Sequence, residues 1–237
     1  MEIISRNKKA RIAGILYLLL VISGFIYLVY IPSELIDLQN ATKTIENIKG
    51  SELLFRLGIV TSILSSLIFM LLPLALYNLL KNVNKVSAKF MVLFALISIP
   101  ISFVNILNKF SVLTLINKSE YAQNLGQIEL QTQVMLYLEN YNNGIEISQI
   151  FWGLWLLPFG YLVYKSGFLP KILGILLMAG CFGYLITFFG GFLYSDFNKT
   201  IISDIVGLPA PIGEIGICLW LLIMRTNKFN FKKTTIN

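Results

Sequence analysis

ISQIFWGLWLLPFGYLVY (residues 147–164), KSGFLPK (165–171) and ILGILLMAGCFGYLITFFGGFL (172–193) form two apolar runs joined by a short basic turn. At 1.5 Å per helical residue the two runs measure about 27 and about 33 Å, close to the thickness of a hydrocarbon core of about 30 Å. A turn this tight and basic cannot itself cross a bilayer, so the helix ends it joins lie on one side. Lys and Arg are retained on the cytoplasmic side of short loops, which predicts that side for Lys165 and Lys171. Glycines recur seven residues apart in each arm, Gly153 and Gly160 in one, Gly183 and Gly190 in the other. Seven residues is close to two turns, so each pair shares a helix face. Counted from the turn, Gly153 and Gly183 fall at matching depth. Small residues let helices approach closely where lipid supplies no hydrophobic drive for association. The expectation is a packed central hairpin in a polytopic membrane protein.

Composition agrees with that class. The chain of 237 residues is 56% hydrophobic and 13% charged, with mean hydropathy +0.75. A soluble chain carries roughly a quarter charged residues. The net charge of +7 comes from basic residues placed at the ends of apolar runs, where they act as orientation signals and do not form a nucleic-acid surface. The sequence contains no histidine, which removes Ser-His and Cys-His catalysis, zincin-type metal sites and His-ligated haem. Cys181 and Cys218 lie in apolar runs and read as packing residues. No metal or cofactor is expected.

Six spans follow from the apolar runs, at about residues 12–31, 53–80, 90–107, 147–164, 172–193 and 205–224 of a single integral membrane domain, 1–237. The first lacks the short core and small-residue cleavage site of a signal peptide and is expected to be a retained helix. Tyr27 and Tyr30 suit its outer interface. In the second span, Gly58, Ser62, Ser65 and Ser66 make one small-residue face, suited to helix packing or to a polar path. Within the long polar segment 118–143, Leu130, Val134, Leu138 and Tyr141 recur at helical spacing, which predicts an amphipathic helix at the interface or leading into the fourth span. The sixth span opens Gly207-Leu-Pro209-Ala-Pro211-Ile-Gly213-Glu214, which predicts an interrupted or late-starting helix.

Charge tests this arrangement. With both termini cytoplasmic, Arg6, Lys8, Lys9 and Arg11, Lys81, Lys85 and Lys89, Lys165 and Lys171, and Arg225, Lys228, Lys232 and Lys233 all fall inside. Of the 12 acidic residues only Glu2 joins them. The fold class expected is an all-α helix bundle in a cell membrane, a prokaryotic plasma membrane, with both termini cytoplasmic and lipids as its partners.

The order of motifs resembles the bacterial and archaeal membrane proteins grouped as domain of unknown function 4386. The residues that carry the likeness include Arg11-x-x-Gly14-x-x-Tyr17, Leu54-Phe55-Arg56, Leu76-Tyr77-x-Leu79-Leu80 and Phe151-Trp152-Gly153-Leu154. The most specific piece is Gly160-Tyr-Leu-Val-Tyr164-Lys-Ser-Gly-Phe-Leu-Pro170-Lys171-x-Leu173-Gly174, with Gly180, Tyr184, Glu214 and Leu219-Trp-Leu-Leu222 beyond it. Trp152 stands where the family pattern has phenylalanine, and no basic residue follows Lys89 early in the third span. The resemblance implies a multi-pass membrane protein and no particular activity.

Ionisable groups inside spans are costly and mark candidate sites. Three stand out: Arg56, Glu146 and Glu214, all read as lying toward the outer side. Arg56 can snorkel to the interface. Glu214, behind Pro211, can sit in the first turn of a helix and complement its positive end. Glu146 reads as interfacial. The sharper expectation is an Arg56–Glu214 pair across the second and sixth helices, in an outward-facing pocket. Three function classes follow in order: a non-enzymatic membrane protein binding lipid or partner proteins, a small-molecule or ion transporter, and an intramembrane enzyme. The first half of the chain has no counterpart of the hairpin turn that would signal an internal repeat, and the carboxylates form no visible cluster.

Overall fold

The computed structural model describes residues 2–117, 126–194 and 196–223, with side chains from residue 6 onward. The basic tail, Met224 and residues 118–125 lie outside the described residues. Six helical spans are present: Arg6–Leu35, Glu52–Leu80, Lys85–Asn117, Gln127–Lys165, Lys171–Leu193 and Ile201–Ile223. No strand occurs among the described residues. Every span packs against the next in sequence, and the sixth returns against the first, so the helices close into a ring.

The hairpin turn shows how the sequence sets local structure. Ser166 closes the fourth span, its hydroxyl donating to Val163 O at 2.8 Å and accepting from Leu169 N at 3.1 Å. Gly167 follows at φ 71°, a left-handed conformation that a Cβ would penalise. Leu169 is buried, and Pro170 then precedes the fifth span, where its fixed φ starts the next helix. The Arg6 guanidinium lies 4.9 Å from the centre of the Phe168 ring, which ties the N-terminal helix to this turn at one end of the bundle.

Glycine contacts follow the hairpin in part. Gly160 and Gly174 meet back to back: a Cβ on either would come within 2.6–2.7 Å of the other's carbonyl oxygen. Gly153 also faces the fifth helix, at Tyr184 and Cys181. The matched-depth contact of Gly153 with Gly183 is corrected. Gly183 turns away from the fourth span and abuts the Val206 carbonyl, and Gly190 abuts the Phe197 ring. The face of the fifth helix toward the fourth is Gly174, Cys181 and Tyr184, spaced by seven and three residues. Gly180 and Gly183 lie on the adjacent face, with Gly180 against Ala210 of the sixth span.

The third and fourth spans, 33 and 39 residues, are continuous helices. At about 50 and 58 Å they exceed the hydrocarbon thickness and project past it, at the end away from the hairpin turn. The described part of the segment expected as an amphipathic helix is therefore the beginning of the fourth span. The projecting parts form a second apolar core. It joins Ile106, Val112, Leu130, Val134 and Leu138 to Ile45 and Ile48 of a short helix, Ala41–Gly50. That helix is capped by the Asn40 side chain, which accepts from Lys43 N, and docks through Gln131 Nε2, which donates to Thr42 Oγ1 at 2.8 Å. Lys109 is buried here, its ammonium 4.1 Å from the centre of the Tyr141 ring.

Candidate functional site

Two interrupted helices shape the middle of the ring. Pro32 has no N–H and its ring crowds the carbonyl four residues back, so the regular ladder fails one turn upstream. There the first span widens into a π turn, Ile26–Tyr30, closed by Ile31 N–H donating to Ile26 O. π turns of this kind recur at functional sites. Tyr27 within it is buried and faces the bundle, which corrects its expected place at the outer interface; Tyr30 is exposed there as anticipated. In the sixth span the helix Ile201–Gly207 ends and a second helix, Pro209–Ile223, begins. Pro209 opens the new helix, a position that suits its missing donor. The expected interruption is present.

Glu214 is the sixth residue of that second helix, past the first turn, so the positive helix end is a smaller part of its environment than the sequence suggested. It lies nine residues before Ile223, about 14 Å along the axis, which is near mid-membrane and not at the outer edge. Its partner is the Tyr17 hydroxyl, which donates to Oε2 at 3.1 Å. Arg56 bridges Glu52 one turn away at 2.6 Å, with half of its side chain exposed. The expected Arg56–Glu214 pair is thus replaced by two separate contacts, one local and interfacial, one joining the first and last spans. Glu146 is exposed near the end of the second core.

Around Glu214 the ring forms a partly open cavity of about 170 Å³, lined by all six spans. The first contributes Tyr17, Gly24 and Tyr27; the second, Ser65, Ser66 and Phe69. Ile99 and Ser102 come from the third, Trp152 and Trp155 from the fourth, and Tyr184 from the fifth. Beneath it lies an aromatic floor. Trp155 stacks on Phe159 at 5.1 Å between ring centres, meets Phe69 edge-on at 5.2 Å and Tyr17 at 6.2 Å. Between this floor and the basic end the bundle is filled by Ala10, Ala13, Leu72, Leu76, Met91, Leu162 and Leu221. On the serine face of the second span, Ser62 is buried with its hydroxyl on Ile59 O, while Ser65 and Ser66 line the cavity. Cys181 and Cys218 are buried and unbridged.

Sequence reasoning singled out Glu214 and the serines but not Tyr17, Tyr27, Trp152, Trp155 or Tyr184 as site residues. One signal was present: Ala10, Ala13, Tyr17 and Gly24 lie on one face of the first helix, with a phenol among small residues. The cavity can hold a compact molecule with an apolar body and a polar head, because ring faces and aliphatic carbons surround one carboxyl and several hydroxyls.

An uncharacterized protein of Archaeoglobus fulgidus is 33% identical over 82 residues, a match covering 33% of this chain and 44% of that one. The matched region thus spans less than half the length of that relative. No solved structure matches the chain. The family model for domain of unknown function DUF4386 matches residues 12–224. The chain is a multi-pass membrane protein of the DUF4386 family.

Proposed function

We propose that this protein is a non-enzymatic binding protein of a prokaryotic plasma membrane, and that its central cavity takes a small amphiphilic molecule. The observation that carries this reading is the contribution of every span to one cavity that contains the Glu214 carboxyl, with the Tyr17 hydroxyl donating to it. A purely structural bundle has no need to leave such a space among aromatic side chains, since empty volume forfeits dispersion contacts. Membrane lipids are its surrounding partners, and the basic residues at the hairpin end orient it with both termini in the cytoplasm. The same reading covers a carrier, favoured by the broken sixth helix and by the packed floor beneath the cavity. Discontinuous helices at mid-membrane are a recurring way to build transport sites.

The test is a thermal-shift screen of small amphiphiles on the detergent-purified chain, parent against Gly24→Leu. Gly24 lines the cavity, and a Cβ built there meets no atom within 4 Å, so a side chain added at this position starts in open space. Ligands that stabilise the parent and not Gly24→Leu bind in the cavity. If no ligand distinguishes the two proteins, the cavity is not a binding site.

A further inference from the structure

Glu214 lines the cavity and no basic side chain does. The polar groups that line the cavity with it are phenols and hydroxyls. Tyr17 and Tyr27 come from the first span, Ser65 and Ser66 from the second, Ser102 from the third and Tyr184 from the fifth; the fourth offers only Trp152 and Trp155. On its own helix, Cys218 points to Gly14 O. Two basic side chains of neighbouring spans are engaged elsewhere: Arg56 with Glu52, and Lys109 with the Tyr141 ring. One hydrogen bond from Tyr17 satisfies one of several lone pairs on a carboxylate and none of its charge. A carboxylate so placed in a membrane needs a proton or a cation. The aromatic lining of Trp152, Trp155, Tyr17, Tyr27 and Tyr184 suits the same ligand, since aromatic rings attract cations and most of all quaternary ammonium groups.

We infer that the cavity selects small organic cations of the ammonium class, and that the cation exchanges with a proton on the Glu214 carboxyl. The inference rests on the cavity being a binding site. In the empty protein the carboxyl holds its proton and is hydrogen-bonded to Tyr17. When the ammonium enters, the proton leaves Glu214 for water, the carboxylate pairs with the cation, and the net charge of the site is unchanged. The size fits a compact cationic head: a cavity of about 150 Å³ holds a single benzene ring, and this one is about 170 Å³ and partly open, so the rest of a larger molecule extends out of it. The aromatic floor carries Tyr17, so the group that gives way to the cation is also part of the seal toward the basic end.

The experiment uses the full chain in detergent with two probes of similar size. Benzyltrimethylammonium has no proton of its own, so any proton released comes from the protein; N-benzylacetamide is neutral. Binding is followed by calorimetry in two buffers of different ionisation heat, which counts protons. Expected is binding of the cation with release of up to about one proton per ligand, increasing toward the acidic side. Glu214→Gln keeps an acceptor for Tyr17; it should abolish the release and weaken the cation by at least about tenfold, while leaving N-benzylacetamide unchanged. If N-benzylacetamide binds in a manner sensitive to Gly24→Leu but the cation does not bind, or binds without proton release from about pH 5 to about pH 9, the cation inference is wrong and the binding cavity stands. If neither probe binds, or Gly24→Leu leaves both unaffected, the binding reading falls and this inference falls with it.

Discussion

Tyr17 and Glu214 are 197 residues apart and meet at 3.1 Å, the phenol of the first span donating to the carboxyl group of the last. The contact closes the ring of helices at mid-membrane. Close packing on the same seam reinforces it: a Cβ on Gly14 would come within 2.9 Å of the Leu222 backbone nitrogen. Ring closure and cavity therefore depend on one interface. Its polar contact is also the one that a ligand on Glu214 would disturb.

Removing that hydroxyl should loosen the closure. Hydrogen bonds between membrane helices contribute about 0.6 kcal/mol on average, rising to about 1.7 kcal/mol. Tyr17→Phe is therefore expected to destabilise the protein by an amount near the top of that range, seen as a lower melting temperature in detergent. In a double-mutant cycle, Tyr17→Phe and Glu214→Ala should be less damaging together than the sum of the two. Strict additivity would show that the contact contributes nothing to stability.

Arg56 should behave differently. Its bridge to Glu52 is i,i+4 and half exposed, with side-chain exposures of 53% and 33%. Pairs of that kind contribute about 0–1 kcal/mol. Arg56→Ala is expected to shift the melt slightly, and to add to Glu214→Ala without coupling. A coupling above about 1 kcal/mol would restore the pairing that the sequence suggested.

The back-to-back glycines give the strongest packing prediction. A Cβ at Gly160 would sit 2.6 Å from Gly174 O, and one at Gly174 would sit 2.7 Å from Gly160 O. Backbone cannot yield as a flexible side chain can, so each alanine variant forces the helices apart, at about 1–3 kcal/mol. Once one has done so the second finds room, and the double variant should fall short of the sum. Gly24→Ala, in open space, is the silent control. Equal melts for Gly160→Ala and Gly24→Ala would refute the hairpin packing.

Topology is accessible through labelling. Ser166 is a poor position because its side chain is buried and its hydroxyl closes the turn. Lys171 and Asn198 are both exposed. In a background without Cys181 and Cys218, Asn198→Cys should react with an impermeant maleimide on intact cells. Lys171→Cys should react only after permeabilisation. Equal labelling would refute the cytoplasmic placement of the hairpin turn.

Acid should act on the loop after the first span. The Lys43 ammonium, 3.1 Å from Asp37 and assisted by Gln39 N–H, holds the Asp37 carboxyl below its ordinary value of 3.8. A depressed carboxyl stabilises the fold at pH above that ordinary value, and the contribution is lost as pH falls through the lower folded value. The group is exposed, so the effect is small. Melts of the parent and Asp37→Asn should differ at neutral pH and converge only once the pH has fallen through the depressed folded value, which lies below 3.8. A gap that persists in acid would assign the difference to something other than this charge pair.

The number of spans, the reversal at residues 165–171 and the basic end are properties of contiguous stretches, legible without knowing what touches what. The break in the sixth helix was legible for the same reason: two prolines remove donors wherever the chain goes. The helix faces were not. A helix in water shows its buried side by being apolar there and polar elsewhere, whereas lipid and bundle core are both apolar, so these helices carry little periodic contrast. The sequence therefore could not tell that Gly183 abuts Val206 and not Gly153, or that Tyr27 faces the cavity and Tyr30 does not. For Arg56 and Glu214, depth alone suggested a pair. Tertiary structure decided otherwise, because a long arginine side chain reached a carboxylate one turn away at the interface, and the first helix brought a phenol to mid-membrane. The sequence by itself determined which segments cross the bilayer, since transfer into lipid is summed over each segment. Only the closing of the ring determined which side chains surround Glu214, since that depends on contacts among all six spans.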